Sequence, residues 1–230
     1  MSVDDYVKQI TKVFEENRNG ENAGPMKSYM RDKFEFFGIK SVQRRQLTRK
    51  FMRQENRPSK SALGQVVKRL WSLPEREYQY FVWELVERYK RDFEKEDMEL
   101  FEYMITHKSW WDTIDNMAKK LVGEYFKKFP EERDKYIEKW LDSDNLWLKR
   151  TAILFQLGYK EETDVELLFE VINELKEIDE FFIQKAIGWA LREYSKRDAQ
   201  IVEEYIAEND LSNLATREGL KWLKKNRSSN

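Results

Sequence analysis

The chain has no cysteine and a single histidine, His107. Without thiols there can be no disulfide and no thiolate metal site. One histidine rules out a histidine-rich metal centre, so no metal and no cofactor is expected. A Ser-His-Asp mechanism would have to use His107, and no G-x-S-x-G elbow occurs. Any acid–base chemistry therefore falls to carboxylates. Glycine and proline are also scarce, 8 and 4 in 230 residues. Strand-rich domains need more turn residues than that, so the expected fold class is all-α. No apolar run is long enough to span a bilayer. The opening MSVDDYVKQI has no basic stretch ahead of an apolar one, which argues against a secretory signal. With the missing cysteine, this favours a cytoplasmic location without membrane attachment.

Charge is plentiful and unevenly spread. Hydrophobic residues make up 40% and charged residues 37%, which suits a folded chain with a core. The net charge is −1, yet Lys27 to Arg69 holds thirteen Lys and Arg against Asp32, Glu35 and Glu55. That segment carries +10 and the remainder −11. A local anionic partner explains such a bias, and nucleic acid is the commonest. A merely solvated basic face is the alternative.

Apolar residues recur at helical spacing, for example Phe181, Ile183, Ile187, Leu191 and Tyr194. Near the start, helices are expected over 4–17, 23–36 and 41–55, followed by the polar break QENRPSK. Ser72 reads as a cap ahead of a proline-containing first turn, and DSDN as a loop before LWLKRTAILF. Residues 224–230 read as a frayed tail. A repeat runs through the rest. Tyr89, Tyr125, Tyr159 and Tyr194 follow one another at 36, 34 and 35 residues. Each has an apolar residue four positions earlier: Leu85, Leu121, Phe155 and Ala190. Such a period means stacked helix pairs, HEAT-like, with functional residues on a concave inner face. One domain is expected over 1–230, with basic helices to about 70 and clearer repeats over about 71–225.

Three stretches stand out. In HKSWWDTID, Trp111 and Asp115 are four residues apart and share a helix face. Trp110 would turn about 100° away, beside the stripe of Ile114, Met117 and Leu121. Asp112 would be exposed or capping. Either both tryptophans are core, or one indole packs and the other stands by a carboxylate. In NLWLKR, Arg150 could hold a phosphate at two points, or form an ordinary salt bridge. In FFIQKAIGWALREY, Gly188 costs about 1 kcal/mol of helix stability, which suggests close approach by a helix or a ligand. Trp189 beside it is core or groove.

The motifs SWWDTID, DNLWLKRTAILFQLGYK and FFIQKAIGWALREY closely resemble those of the AlkD family of alkylpurine DNA glycosylases. GPMKSYMRDKFEFFGIKSVQRRQL and LWSLPEREYQ are also similar to that family, so the resemblance runs from about residue 5 to 225. It implies a HEAT-like solenoid that binds duplex DNA on its concave face. It implies hydrolysis of the N-glycosidic bond of cationic N3- or N7-alkylated purines. A monomer is expected, since it needs no special sequence feature. The family's catalytic aspartate falls on Asp115, its groove tryptophans on Trp111 and Trp189, its arginine on Arg150 and its N-terminal aromatic on Tyr29. Lys27, Arg31, Lys40, Arg44, Arg45 and Arg49 would then supply phosphate affinity. The resemblance also implies a lesion left outside any snug base pocket. The rival reading is a non-catalytic helical-repeat module that binds DNA or protein.

Overall fold

A computed structural model describes residues 2–227, apart from the side chain of Arg227. These residues gather into two compact units that meet in sequence at Glu94 and Lys95, well beyond the expected change of character near residue 70. Among the described residues there is one isolated bridge, Glu35 with Glu75, and no sheet.

The first unit contains α1 (Val3–Glu16), α2 (Gly20–Tyr29), α3 (Ser41–Thr48), α4 (Lys60–Trp71) and α5 (Arg76–Glu87). Ser2 caps α1 by accepting from the Asp5 N–H at 3.1 Å, and Asp4 and Asp5 favour the positive end of the helix. The helix then buries Tyr6, Val7, Ile10 and Phe14, one stripe of its surface. The expected helix over 23–36 stops at Tyr29. Arg31 and Asp32 both turn left-handed, with φ of 54° and 56°, which ends helical hydrogen bonding. The chain beyond them runs in under α5 and buries Phe34, Phe36, Phe37 and Ile39. Its amides are taken by a buried carboxylate: Glu77 accepts from Phe37, Gly38 and Ile39 at 3.1, 2.9 and 3.0 Å. Gly38 has φ of 87°, and a Cβ there would lie 2.0 Å from the Asn19 carbonyl oxygen, so only glycine fits. The helix expected over 41–55 likewise ends early and tightens into a 3-10 turn, Arg49–Met52. Ser72 closes α4 instead of opening α5, whose cap position is Glu75.

The second unit contains α6 (Asp97–Thr106), α7 (Trp111–Met117), α8 (Gly123–Lys128), α9 (Arg133–Asp142), α10 (Leu146–Leu154), α11 (Val165–Leu175), α12 (Phe181–Tyr194), α13 (Ala199–Glu208), α14 (Asn213–Gly219) and α15 (Lys221–Arg227). A π-helical stretch, Ala118–Val122, joins α7 to α8. The helices come in pairs, and the second members form a layer: α10 packs on both α7 and α12, and α12 packs on α14. The fold is an all-α helical repeat. Second helices begin at Arg76, Trp111, Leu146 and Phe181, 35 residues apart each time. The register extends to side chains. Gln79 and Gln184, each fourth in its helix, clamp the turn before it, onto the carbonyls of Trp71 and Leu73 and of Lys176 and Ile178.

The tyrosine repeat has a physical cause. Leu85, Leu121, Phe155 and Ala190 are all buried. Three of the four tyrosine hydroxyls donate to a backbone carbonyl about one repeat earlier: Tyr89 to Pro58, Tyr125 to Lys95 at 2.9 Å, and Tyr159 to Gly123 at 2.7 Å. No described helix is long and apolar enough to cross a membrane. No cluster of potential metal ligands occurs among the described residues. The expected frayed tail begins too early: α15 continues to Arg227, and the rest of that segment lies outside the described residues.

Candidate active site

The tryptophan doublet straddles a helix start. Trp110 is the residue before α7, in extended backbone at φ −163° and ψ 157°, and Trp111 is the first helical residue. The two indoles therefore separate because the helix begins between them, which a rotation of 100° within one helix would not describe. Trp110 is buried, edge-on to Phe182 with ring centres 5.0 Å apart and 5.7 Å from Trp147. Trp111 stays half-buried one turn before Asp115. Ile114, Met117 and Leu121 form the buried stripe as expected. Asp112 is buried, not exposed; it lies in the first turn of α7, where the helix dipole favours a carboxylate.

Asp115 meets Arg150 from the adjacent second helix. Asn145 starts α10 by accepting from the Trp147 and Leu148 amides, which sets Arg150 one turn into the helix. Its Nε donates to Oδ1 at 2.8 Å and a terminal nitrogen to Oδ2 at 2.9 Å, a two-point pair. The other terminal nitrogen donates to the Phe182 carbonyl at the start of α12. Asp115 and Arg150 side chains are 13% and 5% exposed. A phosphate-holding Arg150 does not fit this geometry, because its guanidinium is buried and aligned on Asp115. Burial pushes the Asp115 carboxyl above its ordinary range, the Arg150 guanidinium opposes this, and Asp112 adds to it. The arrangement yields one carboxylate, fixed in orientation and largely out of water. The π-helical stretch follows within a turn, a feature often found near functional sites.

Trp189 is half-buried on α12, two turns beyond Phe182 and on the same face, and is joined to neither Asp115 nor Arg150 by a hydrogen bond. Gly188 before it is explained: a Cβ would lie 2.6 Å from Glu218 Cβ and 2.8 Å from the Ala215 carbonyl oxygen, so α14 can approach only a glycine.

The expected DNA-binding residues divide. Tyr29 is 71% exposed. Arg31, Lys40 and Arg49 are exposed and form no ion pair among the described residues. Lys27 is held to Glu35 at 2.6 Å, a hydrogen bond that raises its pKa. Arg45 keeps an exposed side chain although its Nε reaches Glu84 at 3.0 Å. Arg44 is misassigned as a phosphate ligand. It lies on the face of α3 that packs on α5, buried and paired at two points with Glu84, 2.8 and 3.0 Å.

Sequence reasoning missed Phe182, whose ring centre lies 5.9 Å from the Arg150 guanidinium, and Trp147, which packs against that ring. The 35-residue register was the available signal, since Asp115 and Arg150 are both fifth in their helices.

The chain matches the family model described as DNA alkylation repair enzyme over residues 10–223. No curated protein matches it. Among solved structures, a predicted DNA alkylation repair enzyme from Enterococcus faecalis is 36% identical, with 91% of this chain and 98% of that one covered and a TM-score of 0.85. AlkD2 from Streptococcus mutans is 19% identical, with 97% and 98% covered and a TM-score of 0.63, a likeness of fold. With its paired helices and the motifs around Asp115, Arg150 and Trp189 inside the matched span, the chain belongs to the DNA alkylation repair enzyme family.

Proposed function

We propose that the protein is a monofunctional DNA glycosylase that hydrolyses the N-glycosidic bond of cationic N3- and N7-alkylated purines in duplex DNA. One observation carries this reading: a sheltered carboxylate, Asp115, is oriented by a buried two-point pair and shares a helix face with the half-buried Trp111. An alkylated purine already bears positive charge, so it leaves without a general acid, which suits a chain whose one histidine is exposed and tied to Tyr103. The C1′–N bond breaks, its electron pair goes to the purine, and the base departs neutral. The sugar becomes an oxocarbenium-like cation, and the Asp115 carboxylate stabilises that charge. Water adds to C1′ and gives up a proton, with Asp115 in the role of acceptor and orienter. Trp111 and Trp189 exclude bulk water and offer π faces to the sugar cation. Arg150 acts as a positioning residue. It sets the carboxylate rotamer and opposes the rise in pKa that burial causes.

Tyr29, Arg31, Lys40, Arg45 and Arg49 supply contacts to the duplex backbone, with Lys27 in reserve once its bond to Glu35 opens. The test is a product analysis. Duplex DNA containing 7-methylguanine should yield free base and an intact strand with an abasic site. Absence of released base would overturn the proposal, and strand cleavage coupled to release would overturn its monofunctional part.

A further inference from the structure

The 35-residue register that aligns Asp115 with Arg150 continues to Lys185, fifth residue of α12. Lys185 is not paired within its own helix. Its Nζ reaches Glu218 of α14 at 3.2 Å, and Arg192 reaches the other oxygen of that carboxylate, also at 3.2 Å. Lys185, Trp189 and Arg192 are four and three residues apart, so they occupy one face of α12 with the indole in the middle. Glu218 is only 12% exposed, whereas Lys185 and Arg192 remain 36% and 27% exposed. Burial would raise the Glu218 pKa, but Lys185, Lys221 and Arg192 outweigh it and hold the carboxyl below its ordinary value. Three cations thus surround one carboxylate, and positive charge is left over beside Trp189.

Resting on the glycosylase reading, we propose that Lys185 and Arg192 form a phosphate-binding site of the duplex backbone, with Glu218 as the resident counter-charge that pre-orients both cations. A phosphodiester oxygen can reach the exposed hydrogens of either cation without displacing Glu218, because each cation contacts that carboxylate at a single oxygen. The site would seat the strand so that its deoxyribose lies against the Trp189 indole. This accounts for the closeness of α14 at Gly188, which brings Glu218 between the two cations.

The experiment is binding of an undamaged duplex by fluorescence anisotropy across a salt series, with thermal melts of each variant. Lys185→Gln and Arg192→Gln should each weaken binding and flatten the plot of log K against log salt by about 0.9. Glu218→Gln should tighten binding by removing a negative charge that repels the neighbouring phosphate. Unchanged slopes in Lys185→Gln and Arg192→Gln, with lowered melting temperatures, would overturn the site and leave a structural tie between α12 and α14. A Glu218→Gln variant that binds no tighter would overturn the counter-charge role; should it not fold, the two cation variants still decide the site. Undamaged duplex reports nothing on base release. A parent protein that binds with the expected slope changes yet releases no base would therefore sink the glycosylase reading and keep this one.

Discussion

Breaking the Asp115–Arg150 pair has a calculable asymmetry. Asp115→Asn leaves a guanidinium whose side chain is 5% exposed without its counter-charge. Stranding a buried charge costs about 3–5 kcal/mol, and this case belongs at the upper end because arginine does not shed its proton. In a chain of this size each kcal/mol moves the melting temperature by about 2–4 °C, so a fall of about 10–20 °C is expected. Arg150→Met strands Asp115 instead, which is 13% exposed and already pushed towards its neutral form by burial. It can take up a proton, so its loss should be smaller and should shrink as pH falls. The double variant should recover much of the deficit, since a buried pair replaced as a whole costs little. Urea unfolding of all four proteins gives the coupling energy directly. If both single variants lost less than about 0.5 kcal/mol and the double were additive, the pair would not be the buried, coupled unit described.

Other outcomes follow from the same geometry. Base release requires ionised Asp115, so its rate should fall as pH drops through a pKa above the ordinary 3.8; Arg150→Gln removes the opposing charge and should move that acid limb to higher pH. A limb at or below the ordinary value would contradict the burial argument. Gly188→Ala gains about 1 kcal/mol of helix propensity but drives a Cβ into Glu218 and the Ala215 carbonyl, so denaturation should show a net loss of about 1–2 kcal/mol. Glu77→Ala strands three buried amides, and at about 1 kcal/mol or more each the loss should exceed about 3 kcal/mol in urea unfolding. Replacing Arg31, Lys40 and Arg49 together by glutamine should flatten the salt dependence of duplex binding by nearly 3, at about 0.9 per phosphate contact. An unchanged slope would remove those residues from the interface.

Periodic features were legible in the sequence because they repeat. The tyrosine spacing reflects a hydroxyl that, in three of the four repeats, ties the repeat to a carbonyl of an earlier one, so the chain had to spell it out several times. The helix pairs and the placement of Trp111 and Asp115 on one face followed from the same kind of signal. What failed was long-range. Nothing local announces that α2 ends at Tyr29: Arg31 and Asp32 turn left-handed, and the chain beyond them is held by Glu77, a buried carboxylate 38 to 40 residues past the Phe37 to Ile39 amides it captures. Arg44 and Arg45 look alike in a basic run, yet helix packing buries one and exposes the other. Arg150 stayed open between a phosphate contact and a salt bridge because its partner, Asp115, stands 35 residues earlier, and only packing of α7 on α10 brings them together. Gly188 was the exception: its cost within a strong helix correctly pointed to a close neighbour, which proves to be α14.

The most direct measurement is the single-turnover rate of base release from a duplex with one 7-methylguanine, for the parent protein and Asp115→Asn, with binding of each to that duplex measured alongside. The account predicts that Asp115→Asn binds about as tightly but releases base at least about a hundredfold more slowly, the scale on which one group that stabilises transition-state charge contributes. Equal rates of release would contradict it, since no other carboxylate has been assigned to the sugar cation.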